Sequence, residues 1–283
     1  MLAVLSLFVV GAVSAEARPV VHKSGQAHSK VVVYWTAERM RDAIPADRRA
    51  PLAKPGSGGG TTTSAASTEV PLPYPSAHGK VFFSDGGANY VCSGTAVSSV
   101  NQSVVWTAGH CVNEGPGGFY TNFMFVPAYR DGAAPYGKFA ASGLLTTSAW
   151  QASGEWGVDL GAAVVGRNAS NQTLAAAVDE RVLAFNTTRN QGYKVYGYPA
   201  AKKFSGQRLR VCNTSWLMND SALPPTMGVS CDMTGGSSGG GWVTTSGAVA
   251  SVVSYGYSSL RNVLFGPHME TEAQQLYTAA ETQ

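Results

Sequence analysis

Short runs of β-branched and aromatic residues, each broken by Gly, Pro or Asn, limit most strongly how this chain can fold. Lys80 to Ser84, Asn89 to Val97, Ser103 to Thr107, Leu160 to Val165, Tyr193 to Tyr198, Gln207 to Cys212, Gly241 to Thr245 and Val249 to Tyr255 share this character. Gly86-Gly87, Gly115-Pro116-Gly117-Gly118 and Pro224-Pro225-Thr226 punctuate them. Such runs suit strands joined by tight turns. In the body of the chain only Glu270 to Thr282 has a helical pattern, with Ala273, Leu276, Tyr277 and Ala280 on one side. The body is therefore predicted to be all-β and closed by a C-terminal helix. At 283 residues it can form one large domain or two lobes.

Charge is scarce. Charged residues make up 13% of the chain, about half the usual share. The formal net charge of +3, without a Lys/Arg cluster, argues against nucleic acid as a partner. Leu2 to Val13 is an apolar run, and Val13-Ser14-Ala15 has the small residues of a signal-peptidase site, although no Lys or Arg precedes the run. Residues 1–15 are thus predicted to be a signal peptide, the protein to be secreted, and no membrane association to remain once that peptide is removed. The apolar run is too short to span a bilayer as a stable helix.

Residues 16–70 are predicted to be a propeptide and linker. Its first part, to about residue 54, reads as a small separate unit in which Thr36 to Ile44 forms an amphipathic helix stopped by Pro45. Arg48-Arg49 and the Gly/Ser/Thr tract of the linker, Pro55 to Ser64 at its centre, are candidate cleavage regions. The body then occupies 71–283. Four cysteines in an exported chain imply two disulfides, with three pairings open. The simplest is local, Cys92 with Cys111 and Cys212 with Cys231. Each would close a loop of about 20 residues and stabilise by about 3 kcal/mol in the chain-entropy picture. Cys-x-x-Cys and His-x-x-x-His pairs are both missing, so neither a metal site nor an organic cofactor is expected.

Three residues in order suggest nucleophilic catalysis. Ser238 lies in Gly236-Ser237-Ser238-Gly239-Gly240, where glycines permit unusual dihedrals and leave backbone N–H groups bare. Serine is a weak nucleophile near neutral pH and needs an oriented base. The same five residues fit the nucleophile elbow of α/β-hydrolases, which requires an acid and then a histidine downstream. Only His268 follows, with no Asp or Glu between, so that reading fails on order. Among the histidines, His110 alone ends an apolar run and adjoins a half-cystine, Cys111. Asp159 sits in an apolar stretch where a carboxylate is costly unless paired; Asp131 and Asp179 lie among polar or turn residues.

Together, Thr107-Ala108-Gly109-His110-Cys111, Asp159-Leu160 and Gly236-Ser237-Ser238-Gly239-Gly240 resemble the chymotrypsin/trypsin-like serine peptidases, in the secreted bacterial branch that includes the glutamyl endopeptidases. The resemblance covers about residues 76–280. It implies two antiparallel six-stranded Greek-key β-barrels, one over about 76–180 and one over about 181–267, followed by the helix at 270–282. It also implies a secreted serine endopeptidase made as a proenzyme and acting as a monomer on polypeptides, its own propeptide being a second partner. His110 would be the base, Asp159 its orienter and Ser238 the nucleophile, with the N–H groups of Gly236 and Ser238 as the oxyanion hole. Ser254-Tyr255-Gly256 would pair with the substrate backbone, and Cys92–Cys111 would flank the histidine.

Ser237 stands where the animal digestive enzymes carry an aspartate for the new N-terminus, so activation is expected through release of the prosegment. Asp232 falls at the position of the trypsin-like pocket aspartate, which would favour Arg or Lys at P1; a small or apolar P1 residue is the other main reading, and Val253 stands where a glutamate-specific pocket would show a histidine. The alternative is a catalytically inactive relative that captures peptides. The presence of all three candidate residues counts against it.

Overall fold

A computed structural model describes residues 18–46 and 65–283. The predicted signal peptide, Arg48-Arg49 and the tract 55–64 lie outside the described residues. The first stretch forms β1 (Val20–Lys23), α1 (His28–Tyr34), α2 (Ala37–Asp42) and β2 (Ile44–Pro45). Thr36 caps α2 by accepting the Arg39 N–H, as its place before an Ala-Glu turn suggests. A short β3 (Thr68–Glu69) opens the second stretch.

Six strands make the first barrel: β4 (His78–Asp85), β5 (Ala88–Val97), β6 (Val104–Thr107), β7 (Thr121–Pro127), β8 (Phe139–Thr146) and β9 (Gly161–Val165). Their order is β8-β7-β4-β5-β6-β9, all antiparallel, and β8 also pairs with β9, which closes the ring. Because β7 returns to lie beside β4 after three hairpin-linked strands, the first four form a Greek key. Its interior is filled by Val81, Phe83, Val105, Phe125 and Leu144, all at most 2% exposed. Each such side chain stabilises the fold by roughly 1.5–3 kcal/mol.

A second Greek-key sheet follows, from β10 (Gly192–Gly197), β11 (Arg210–Asn219), β12 (Met227–Ser230), β13 (Gly241–Thr244), β14 (Val249–Val252) and β15 (Val263–Gly266). It runs in the order β14-β13-β10-β11-β12-β15. This barrel closes less fully than the first. Its edge strands meet beyond β14, where Ser254 and Tyr255 N–H groups donate to Phe265 O and Phe265 N–H donates to Tyr255 O. Both disulfides are local, Cys92–Cys111 and Cys212–Cys231. Three further helices are α3 (Ser148–Ser153), α4 (Leu174–Ala177) and the C-terminal α5 (Thr271–Glu281). Helix α5 buries Ala273, Leu276 and Ala280 and packs back on β8 and β9 of the first barrel, with Tyr277 Oη donating to Ser98 O.

One expectation is corrected here. Residues 18–46 are not a separate unit. They have too few apolar side chains for a core of their own, and Val31, Trp35 and Met40 instead join the core of the first barrel at 1–2% exposure. Strand β1 adds to β8, and β2 pairs in parallel with β5.

Candidate active site

His110 sits in a single 3-10 turn, Gly109–Cys111, directly after β6 and tied by Cys111 to Cys92 on β5. The ring is fully buried. Its Nδ1 lies 2.7 Å from Asp159 Oδ2, while its main-chain N–H donates to Asp159 Oδ1 at 2.8 Å. A carboxylate only accepts, so Nδ1 carries the proton and Nε2 presents a lone pair. Nε2 is buried and has no hydrogen-bond partner among the described residues. Trp150 and Trp156 flank the ring, each 6.2 Å from it between centroids.

Asp159 follows the 3-10 turn Trp156–Val158 and is itself fully buried. Burial of a carboxylate requires donors. It has three: His110 N–H, His110 Nδ1–H and the hydroxyl of Ser254, which donates to Oδ2. Ser254, expected as part of a substrate-binding edge, thus also bonds the aspartate. Asp131 instead pairs with Arg208, and Asp179 accepts from Ser76, both away from His110.

Ser238 lies in the loop joining β12 to β13 and is 7% exposed. Two sets of bonds pin this loop across the barrels. On the first barrel, Ser93 N–H donates to Ser238 O at 2.7 Å and Ser93 Oγ donates to Gly236 O at 2.9 Å. On the second, Gly239 N–H donates to Val253 O and Val253 N–H to Gly240 O. Gly239, at φ +80°, packs on Thr107 and Ala108, which lead into His110; any Cβ there would strike the Thr107 hydroxyl. Gly236 has φ +94°, a left-handed conformation that glycine adopts without strain. The N–H groups of Gly236 and Ser238 donate to nothing among the described residues.

Ser93 and the two tryptophans were not singled out in the sequence. The signal for Ser93 was its place after Cys92, in a strand otherwise suited to a barrel core.

Beside Ser238 opens a cavity of about 800 Å³, lined in part by Asp232, Met233, Val253, Tyr255 and Gly256. Asp232 is at this wall, but its charge is already matched. Oδ1 accepts the Ser67 N–H and Oδ2 meets Lys203 Nζ, both at 2.7 Å. Burial pushes this carboxyl up, but the Lys203 ammonium and Ser67 outweigh it and hold it below the usual range. Tyr255 is held by its ring contacts with Trp156 and Phe265 and by donating its hydroxyl to buried Asp220. Gly256 passes close to Val263 O.

Cys92, His110 and Cys111 have ligand atoms within 4.8 Å of one another. Both sulfurs are consumed in the disulfide, so neither offers a thiolate to a metal.

Family models give no match to this sequence, and curated proteins give none either. Solved structures do. Protease Anisep from Arthrobacter nicotinovorans is 45% identical, with a TM-score of 0.70 over 74% of this chain and 96% of its own. The thermostable serine protease AL20, from an extremophilic microorganism, is 43% identical, also at 0.70, over 74% of this chain and 98% of its own. A Glu endopeptidase shares the fold at 19% identity and a TM-score of 0.63, over 78% of this chain and 99% of its own. With two barrels, an embedded His–Asp pair and this similarity to proteases over nearly their whole length, the chain is a serine-type endopeptidase and belongs to the chymotrypsin/trypsin-like serine peptidases.

Proposed function

We propose that Ser238, His110 and Asp159 act as the catalytic triad of a secreted endopeptidase made as a proenzyme. The observation that carries this reading is the doubly bonded His110–Asp159 pair, which leaves Nε2 as a buried lone pair without a partner among the described residues. The Ser238 Oγ attacks the scissile carbonyl carbon while its proton passes to His110 Nε2. Asp159 stabilises the imidazolium so formed and does not itself take the proton. The carbonyl oxygen, now an oxyanion, is received by the N–H groups of Gly236 and Ser238, which are free to donate. Collapse breaks the C–N bond, and Nε2–H protonates the departing amine. Water then attacks the acyl-enzyme by the same route in reverse roles. In a substrate-free site the Ser–His hydrogen bond is often long, and it tightens when substrate binds.

The cavity beside Ser238 is the site proposed for the P1 side chain. Its lining includes Lys202, Lys203 and Arg261 against the single, already paired Asp232. That balance supports an apolar or acidic P1 residue over a basic one. Two disulfides suit an extracellular protein.

The deciding experiment is active-site labelling of processed protein with a fluorophosphonate, located by mass spectrometry. An adduct on Ser238 that disappears in His110→Ala is expected. Folded, processed protein without an adduct would sink the triad and leave a peptide-binding cleft.

A further inference from the structure

We infer that residues 18–46 stay on the processed enzyme as a noncovalent second chain, completing the outer wall of the first barrel and leaving the active site open. This rests on the proenzyme reading, and it changes what processing does.

Strand β8 shows why the segment belongs to the wall. Its first residues, Phe139 and Ala140, pair with β7, and that pairing stops at Ala140. The remaining edge, Gly143 to Thr146, is taken by Lys23 to Val20 of β1 in antiparallel register. Without β1 that edge would show unpaired main-chain groups to solvent, a template for pairing with other chains. At the segment's other end, Ile44 and Pro45 pair with Tyr90 and Val91 of β5, and Ala46 N–H donates to Val91 O.

Between these strands the segment is anchored by side chains. Trp35 is buried against Phe82, its indole N–H donating to Asn122 O at 2.6 Å and its own carbonyl accepting from Lys138 Nζ at 3.0 Å. Gln26 and Asn122 bond twice, Gln26 Nε2 to Asn122 Oδ1 and Asn122 N–H to Gln26 Oε1. Tyr34 Oη donates to Asn89 Oδ1 at 2.8 Å. None of these partners is Ser238, His110 or Asp159, and no residue from 18–46 lines the cavity beside Ser238. A segment docked on this face cannot act as a plug. Cutting within 47–64 severs a connection without disturbing any of these contacts.

The test places a recognition site for a separate protease within residues 56–60 of the full chain. After the cut, native and denaturing mass spectrometry follow gel filtration. One particle is expected that separates into two chains, in equal amounts, only on denaturation. Stoichiometric fluorophosphonate labelling of Ser238 is expected while the small chain is bound. Trp35→Ala should speed loss of the small chain at least tenfold, with no loss of labelling. If that variant does not fold, adding a synthetic 18–46 peptide to the stripped wild-type enzyme reads the same affinity. Separation of the small chain during gel filtration of the folded wild-type enzyme would overturn the inference. So would a bound peptide that blocks labelling. Failure of the proenzyme reading is seen separately, as an uncut natural linker in the secreted protein, and the engineered cut still reports on docking.

Discussion

Asp159 grips His110 at two points, the ring Nδ1 through Oδ2 and the main-chain N–H through Oδ1. The two bonds fix the ring's position and its tautomer together. In Asp159→Asn, the amide oxygen can keep the main-chain bond, but the amide NH2 then faces Nδ1 and moves the ring proton to Nε2. The base is lost while the fold is kept. A fall in kcat of about 10⁴-fold with KM nearly unchanged is expected. Steady-state kinetics on a peptide substrate check this, and a loss of less than tenfold would remove Asp159 from the mechanism.

Ser254 donates its hydroxyl to the same Oδ2 that meets His110. Hydrogen bonds to charged groups contribute about 1.5–3 kcal/mol. Ser254→Ala should therefore lower kcat/KM by roughly 10- to 100-fold, chiefly through kcat, because the bond holds the base and not the substrate. Ser254→Thr keeps the hydroxyl and should recover most of the loss. If KM alone moves, Ser254 serves the substrate backbone and its contact with Asp159 is incidental.

At the cavity wall, the Lys203 ammonium and the Ser67 N–H occupy both oxygens of Asp232. Asp232→Asn should change kcat/KM for an Arg-P1 peptide by less than about threefold, since little free charge is removed. Profiling a P1 library on the wild type and the variant measures this. A hundredfold drop confined to Arg and Lys would restore Asp232 as the group that reads a basic side chain.

Asp232 also shows where sequence reasoning stops. Its place near Ser238 was legible, but its partners, Ser67 and Lys203, lie far away in the chain and become neighbours only through β3–β11 pairing and the loop after β10. Local signals are plainer where one residue's neighbours define its setting. His110 was marked by Cys111, Asp159 by its apolar flanks and Ser238 by its glycines. The strands β4, β5, β10 and β13 carry aromatic and β-branched residues and were visible. Strand β8, with Ala140, Ala141, Ser142 and Gly143, was not, because small side chains carry little strand preference. Strands β12 and β15 are four residues long and include glycine. Helix α1 contains Val31-Val32-Val33, a run that disfavours helix on propensity; burial of Val31 against the barrel overrides it.

Lys80, on β4, is a buried cation that the proposed reaction does not use, and it should set a pH dependence of stability. It is 1% exposed, donates to Gly206 O at 2.9 Å and lies over the rings of Tyr129 and Phe82. Among the described residues no carboxylate pairs with it, and burial pushes its ammonium down to about 7. Unfolded, the group titrates near its ordinary value of 10.5. Between those two values the unfolded chain holds a proton that the folded chain has released, so stability rises with pH across that window and is lowest below about 7. Lys80→Met removes the buried cation but leaves Gly206 O without its donor, a loss of about 1–3 kcal/mol. The variant should therefore gain stability over the wild type at pH 6 and lose that advantage at pH 10. The difference between the two conditions should be on the order of a few kcal/mol. Urea unfolding at both pH values, in a Ser238→Ala background to prevent autolysis, measures it. An equal effect of the substitution at both pH values would show that Lys80 keeps its ordinary titration in the folded protein.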